Sequence, residues 1–171
     1  TGHRNIGEEM SKLIATFLYT GLLPKAPGTW GSLAALPFAV ILHALGGFPA
    51  LLIATIVVFF AGWWATLRET TGQDNHDPGE IVIDEVAGQW IAFFPLSAWL
   101  WYHEIPIVIL PWPGLIVGFL LFRFFDIIKP WPVSWADRKE TAFGVMLDDV
   151  IAGAFAAVCV MCLAGIWHGF A

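Results

Sequence analysis

The stretch that decides the fold is DPGEIVIDEVAGQWIAFF, residues 77–94, in which four carboxylates precede an apolar run. The four residues from Asp77 to Glu80 are typical of a helix start, with an acid as N-cap, a proline in the first turn and a second acid in the reciprocal capping position. Asp84 and Glu85 would then lie two turns into the helix and close to lipid depth. A charge there is costly and usually functional, so this pair is the first candidate for a site.

The composition of the whole chain is that of a membrane protein. Of its 171 residues, 58% are hydrophobic and 13% are charged, whereas an ordinary soluble domain carries about 25% charged residues. The formal net charge of −6 argues against nucleic acid as a partner, because nucleic-acid binding needs a basic surface. The length suits one domain. We therefore predict a single membrane domain over residues 1–171.

Five apolar stretches have about the length that a bilayer requires, roughly 17–25 residues. They are residues 30–45, 50–67, 86–102, 106–125 and 150–168. If all five cross, every Lys and Arg falls on one face together with every acid except Glu104, and the positive-inside rule makes that face cytoplasmic. The fold predicted is all-α, a polytopic membrane helical bundle of about five transmembrane helices within residues 24–168.

The N-terminal segment, residues 1–23, has a different pattern. Its apolar side chains recur at helical spacing and face away from Glu8, Glu9 and Lys12; they are Ile6, Met10, Leu13, Ile14, Phe17 and Leu18. A helix with one apolar and one charged face favours the membrane surface over its interior. We expect an amphipathic interfacial helix on the cytoplasmic side.

Three predicted span ends bring carboxylates to that same side: Asp84 and Glu85, then Asp126, then Asp148 and Asp149. Two carboxylates about 4 Å apart repel each other by roughly 4 kcal/mol at an effective dielectric near 20, so these acids either spread into water or are held together by a cation. Oxygen ligands of this kind suit Mg²⁺. Zinc is disfavoured because no Cys or His cluster has ligand spacing. We predict these five acids as metal ligands.

Phosphate-binding groups are predicted on the same face. The loop PKAPGTWGS, residues 24–32, precedes the first span and offers glycines, hydroxyls and free backbone N–H groups at a helix start, which favour anions. Further along, Arg123, Asp126 and Lys129 follow at successive i,i+3 positions, on one face of a helix. Fixed cations beside a carboxylate–metal site are the combination that phosphoryl chemistry uses. The predicted phosphate-binding residues are Lys25, Gly28, Thr29, Ser32, Arg123, Lys129 and Arg138.

Four motifs in series, PGTWGSLAALP, IVIDEVAGQW, FRFFDIIKPWP and GVMLDDVIAG, resemble the phosphatidylglycerophosphatase A family over roughly residues 20–165. These are membrane phosphatases of bacterial phospholipid synthesis. The resemblance implies Mg²⁺-dependent hydrolysis of phosphatidylglycerol phosphate to phosphatidylglycerol and inorganic phosphate. It also implies a phosphoric monoester hydrolase of the bacterial inner membrane whose active site faces the cytoplasm.

The family motifs carry over by position. The D-E-x-x-G acids fall on Asp84 and Glu85, and the paired acids of D-D-x-x-A-G fall on Asp148 and Asp149. The F-D-x-x-K-P and P-G-T-x-G-S motifs fall on Asp126, Lys129, Gly28, Thr29 and Ser32. With the resemblance, the predicted catalytic residues are Asp84, Asp126, Asp149 and Lys129.

Two questions stay open at this level. The nucleophile is a metal-bound water, an aspartate that forms an acyl phosphate (Asp84, Asp126 or Asp149), or the Thr29 hydroxyl. The alternative function is a small membrane transporter or cation exchanger, since intramembrane carboxylates also mark ion pathways. Transporter charges are expected near the bilayer midplane, whereas these acids are predicted at one surface.

Overall fold

The computed structural model describes residues 6–73, 75, 77–105 and 110–169, and side chains as far as residue 166. Within these ranges the chain is helical and contains no strand, which confirms the predicted all-α class. A 3₁₀ turn at Thr20–Leu22 separates the first two helices. The seven α-helices are α1 (Ile6–Ala15), α2 (Pro27–Thr70), α3 (Ile83–Ala92), α4 (Phe94–Tyr102), α5 (Trp112–Ile128), α6 (Val133–Asp137) and α7 (Ala142–Gly169).

Helix α2 is broken into two arms at Gly46 and Gly47, whose backbone angles are not helical. Gly47 has φ +60°, a left-handed conformation that glycine adopts without steric cost. The predicted spans 30–45 and 50–67 fall one in each arm. The break therefore occupies the position of the short loop that the sequence predicted between them.

The two arms of α2 run antiparallel. A Cβ atom placed on Gly31, in the first arm, would lie 2.7 Å from Val82 Cβ, and one placed on Gly62, in the second arm, would lie 3.0 Å from Ile83 Cγ2. A straight helix would separate these two glycines by about 46 Å. Because both contact neighbouring residues at the start of α3, the chain must turn back on itself at the break.

The other predicted spans correspond to the later helices. Residues 86–102 lie in α3 and α4, which are separated at Phe93, since Pro95 removes a helical N–H donor and crowds the preceding turn. Residues 106–109 lie outside the described residues, and the remainder of span 106–125 falls mostly in α5. Span 150–168 lies within α7, which begins earlier, at Ala142.

Among the described residues, two helices, Pro27–Thr70 and Ala142–Ile166, are long and apolar enough to cross a membrane. The count of about five transmembrane helices stays a prediction. The packing nevertheless has the pattern typical of helical membrane proteins: small residues are buried between helices, among them Ala35, Ala39, Ala65, Ala87 and Ala152. Large apolar side chains are exposed, among them Leu45, Ile53, Phe60, Leu120, Phe124 and Met161. An apolar surface of this extent is unusual for a soluble monomer.

The predicted helix start at Asp77 is wrong. Residues 77–80 form a turn, and α3 begins at Ile83. The Val82 N–H donates to the Ala15 carbonyl at 2.9 Å, and Val82 is fully buried. This bond to the end of α1 keeps the segment non-helical up to that point, so the Asp84–Glu85 pair lies in the first turn of α3 instead of two turns inside it.

Helix α1 packs on α2 through a stripe of small residues. Ser11 and Ala15 are buried there, and the Ser11 hydroxyl donates to Glu69 Oε1 at 2.5 Å. Ile6 and Met10 are exposed. The amphipathic helix is therefore present but ends at Ala15, before the predicted Phe17 and Leu18, whose backbones are left-handed. Its position at a membrane surface stays a prediction.

Candidate active site

One end of the helical bundle contains a cavity of about 320 Å³. Its walls are the start of α2, the turn that precedes α3, the first turn of α3, the end of α5 and the second turn of α7. The predicted site residues that line it are Gly28, Asp84, Glu85, Arg123, Asp126, Lys129, Asp148 and Asp149. Residues from four separate helices therefore converge as the sequence motifs predicted.

Three carboxylates form a compact cluster at the base of the cavity. Asp84, Glu85 and Asp149 each offer one oxygen, and these oxygens all lie within 4.8 Å of one another. Asp84 is 7% exposed and Asp149 is 2% exposed. Within the described part of the chain, Asp84 Oδ1 and Glu85 Oε2 are buried with no hydrogen-bond partner. Buried polar atoms normally have partners, and an all-oxygen donor set with free oxygens fits a hard divalent cation such as Mg²⁺.

Close contact between α3 and α7 brings this cluster together. A Cβ atom placed on Gly153 would collide with the carbonyl oxygen of Gly88, and one placed on Gly88 would lie 2.5 Å from the carbonyl oxygen of Asp149. Only glycine at both positions lets the two backbones approach so closely. The favourable dipole at the start of α3 also helps to hold Asp84 and Glu85 as anions there.

Arg123 forms a second group with the residues beside the cluster. Its Nη1 lies 2.5 Å from Asp126 Oδ2 and 4.0 Å from Glu85 Oε1. The same nitrogen donates to the Ser32 hydroxyl at 3.4 Å, and that hydroxyl donates to the Gly28 carbonyl at 2.8 Å. The guanidinium is thus fixed at the cavity wall by contacts from α5, α3 and α2.

Gly28 leaves the space that this arrangement needs. A Cβ atom there would collide with Glu85 Oε1 and lie 3.2 Å from Arg123 Nη1. The glycine therefore keeps the first turn of α2 open toward both the carboxylates and the guanidinium.

Lys129 follows α5 as its C-cap, with φ 47°. It therefore does not continue the helical face that carries Arg123 and Asp126. The prediction that all three share one helical face is confirmed for Arg123 and Asp126 and is wrong for Lys129. Its ammonium donates to Asp148 Oδ2 at 2.7 Å and also to Asp137. Burial alone would lower the pKa of Lys129, but the hydrogen bonds that its ammonium donates to the two carboxylates outweigh burial and raise that pKa above its usual range. Lys129 is therefore a fixed positive charge.

Other predicted residues lie outside the cavity lining. Lys25 and Arg138 are exposed, and Thr29 is half-buried beside Gly28. Ser32 is buried, and its hydroxyl contacts Arg123 and the Gly28 carbonyl. Their assignment to phosphate binding stays a prediction.

The sequence analysis missed two acids of this site. Asp77 lines the cavity, although its sequence pattern predicts a helix cap. Asp137, on the short helix α6, pairs with Lys129. It lies eight residues further along the chain, beyond the i,i+3 and i,i+4 spacings that bring side chains together on one helix. The Pro78-Gly79 pair, which favours a turn as much as a helix start, was the signal that could have placed Asp77 correctly.

Comparison with known proteins identifies the family. The model of a family described as phosphatidylglycerophosphatase A matches residues 13–164. This chain belongs to the phosphatidylglycerophosphatase A family. No solved structure matches the chain.

Curated relatives agree with this assignment. A Haemophilus influenzae protein named phosphatidylglycerophosphatase A is 39% identical over 88% of this chain and 86% of its own length. A protein of the same name from Escherichia coli K12 is 36% identical over 85% of this chain and 78% of its own length. A Bacteroides thetaiotaomicron protein whose name proposes a phosphatidylinositol-3-phosphatase is 37% identical over 86% of this chain and 89% of its own length.

Membership in the phosphatidylglycerophosphatase A family confirms the predicted enzyme class. The chain is a phosphoric monoester hydrolase of the lipid phosphatase type, and the alternative of a transporter is set aside. The names of the relatives share one chemical feature, a phosphate monoester on a lipid headgroup.

Proposed function

We propose that this chain hydrolyses phosphatidylglycerol phosphate to phosphatidylglycerol and inorganic phosphate, with Mg²⁺, at the cytoplasmic surface of a bacterial inner membrane. The observation that carries the proposal is the cavity itself. In a chain of this family, it combines the carboxylate cluster of Asp84, Glu85 and Asp149 with the cations Arg123 and Lys129.

Asp84, Glu85 and Asp149 are the residues that would hold the cation, with Asp126 and Asp148 beside them. When bound, Mg²⁺ supplies Lewis-acid stabilisation of phosphate oxygens and activates water. The unpartnered oxygens of Asp84 and Glu85 support this assignment. A lone carboxylate cluster without a cation would repel a phosphate, so neutralisation is also a condition for substrate binding.

Arg123 and Lys129 would both bind the phosphate, each in a different way. Asp126 and Ser32 hold Arg123 through its Nη1, so the guanidinium is fixed in orientation and its other N–H groups would donate to phosphate oxygens. Lys129, held between Asp137 and Asp148, contributes a second fixed positive charge to the lining of the cavity. Both stabilise negative charge that builds on the phosphate during transfer.

Water is the proposed nucleophile. Thr29 is not among the residues that line the cavity, and Asp126 is already paired with Arg123. The carboxylates of the cluster are the alternative nucleophiles. A covalent acyl phosphate trapped during turnover would show that one of them attacks the phosphate.

The proposed topology places the cavity at the membrane surface. Five helical segments, namely the two arms of α2, α3 together with α4, α5 and α7, would cross the bilayer. Lys12, Arg68, Arg123, Lys129 and Lys139 would then share the cavity's side, which the positive-inside rule makes cytoplasmic. The exposed apolar side chains of the helices support this arrangement.

Substrate choice tests the proposal. Purified protein in detergent micelles is given phosphatidylglycerol phosphate, phosphatidylinositol 3-phosphate or a soluble phosphomonoester, each with Mg²⁺, and released phosphate is measured. The expected result is that phosphatidylglycerol phosphate has the highest kcat/KM. A higher kcat/KM for phosphatidylinositol 3-phosphate, or for the soluble ester, would contradict the proposed substrate.

A further inference from the structure

The cavity has one apolar side that opens to the surface. Two isoleucines are among its described lining residues, Ile81 and Ile127. Ile81 is 3% exposed, whereas Ile127 is 69% exposed. The apolar lining at Ile81 is therefore covered, whereas the apolar lining at Ile127 continues from the charged cavity onto the outer surface of α5.

A stripe of exposed side chains extends from Ile127 along α5. Leu120 and Ile116 lie seven and eleven residues before it, on the same helical face, and are 59% and 49% exposed. Arg123 lies on this side of the helix, between Leu120 and Ile127. The opposite side of α5 is packed, with Phe122 fully buried and Gly118 against Phe93.

We infer that this face of α5, defined by Ile127, Leu120 and Ile116, seats an acyl chain of the lipid substrate. The inference rests on the proposed function and adds the side from which the lipid substrate enters the cavity. When the phosphate of the lipid contacts Arg123, its acyl chain would extend out of the cavity past Ile127 and lie along Leu120 and Ile116. The chain would not pass through a packed part of the bundle.

The length of the stripe fits one leaflet. Eleven residues of α-helix rise about 16 Å, and half of a bilayer's hydrocarbon core is about 15 Å thick. The stripe thus spans from the level of the phosphate to about the midplane, which is the depth that an acyl chain occupies.

Among the described residues, the other large exposed apolar side chains do not line the cavity. Ile56, on the second arm of α2, is 48% exposed but does not line the cavity. It therefore provides a matched control for Ile116. Hydrocarbon surrounds both positions in a bilayer, so shortening either side chain changes its apolar contacts little. A polar side chain is therefore the informative substitution.

The experiment compares Ile116→Gln and Leu120→Gln with the control Ile56→Gln. Each variant is assayed with diacyl phosphatidylglycerol phosphate in micelles and with its deacylated, water-soluble counterpart. The expected result is that the ratio of kcat/KM for the diacyl substrate to that for the deacylated one falls roughly tenfold in the α5 variants and is unchanged in Ile56→Gln. An unchanged ratio in the α5 variants, or an equal fall in the control, would overturn the inference.

A second measurement does not depend on whether the variants fold. A phosphatidylglycerol phosphate with a photoreactive group on its acyl chain is crosslinked to the wild-type protein and the labelled peptides are identified. Labelling concentrated in residues 112–128, and competed by unlabelled substrate, is expected; labelling spread evenly over the helices would overturn the inference. If wild-type protein hydrolyses neither substrate, the proposed function itself fails, which is a distinct outcome.

Discussion

Asp84 and Asp149 belong to different helices, α3 and α7, yet they present carboxylate oxygens within 4.8 Å of each other. At that distance two negative charges repel by about 3.5 kcal/mol at an effective dielectric near 20. Both side chains are buried, so water does little to screen them. The fold therefore maintains an unfavourable pair, which the proposed cation site would neutralise.

Replacing either acid tests this account. Asp84→Asn and Asp149→Asn keep the side-chain shape but remove one charge from the cluster. We expect Mg²⁺-dependent phosphate release to fall at least about 100-fold, while expression and membrane insertion stay near normal because a repulsion has been relieved. Phosphate release and the thermal unfolding temperature, with and without Mg²⁺, measure the two effects.

The matched control is Glu104→Gln, which removes an exposed acid from a loop away from the cavity. It should leave phosphate release unchanged. Full activity in Asp84→Asn or Asp149→Asn would remove that residue from the site.

A single methyl group at Gly28 should disable the site. The Cβ of Gly28→Ala would collide with Glu85 Oε1 and displace a proposed ligand, although alanine itself favours a helix. We expect kcat/KM to fall by about tenfold or more, with normal folding. Gly79→Ala is the control, since its Cβ would come no closer than 3.9 Å, to Pro27 Cγ. Equal activities of the two variants would show that Glu85 is free to move.

The contact between α3 and α7 gives a prediction about stability. Gly153→Ala would push its Cβ into the Gly88 carbonyl and separate the helices that carry Asp84 and Asp149. We expect destabilisation of about 1–3 kcal/mol together with loss of activity. Gly165→Ala, on the same helix with open space around it, should be neutral. Thermal unfolding in micelles measures both, and a stable Gly153→Ala variant would contradict the close packing.

We expect Lys129 to contribute to phosphate hydrolysis through its positive charge. Lys129→Ala is expected to raise KM or lower kcat without unfolding, because the phosphate loses a fixed cation. Asp137→Asn should have a smaller effect in the same direction, since Asp148 still holds the ammonium. A double-mutant cycle on kcat/KM measures their coupling. An unchanged kcat/KM in Lys129→Ala would leave that residue only a packing role.

Much of the fold could be predicted because hydrophobicity dominates this chain. The two arms of α2, the region of α7 and the all-α class follow from apolar runs, and Gly46-Gly47 falls between two of them. The start of α3 could not be predicted in this way. Its position depends on a bond between Val82 and Ala15, a contact between distant segments that no local pattern contains.

In the site, too, some features follow from local sequence patterns and others depend on contacts between distant segments. The acids at Asp84, Glu85 and Asp149 could be singled out because charges beside apolar runs are unusual. Which of the acids share a cluster could not be predicted. Asp126 pairs with Arg123 and Asp148 with Lys129, and these partners depend on how α5 ends, with Lys129 in a left-handed cap.

The most direct test of the central claim is cation dependence. Phosphate release from phosphatidylglycerol phosphate is measured in detergent micelles with Mg²⁺, with excess chelator, and with Mg²⁺ restored in excess over the chelator. We expect activity to disappear in chelator and to return with Mg²⁺. Catalysis that continues undiminished in excess chelator would contradict the claim that Asp84, Glu85 and Asp149 converge to hold a divalent cation for this reaction.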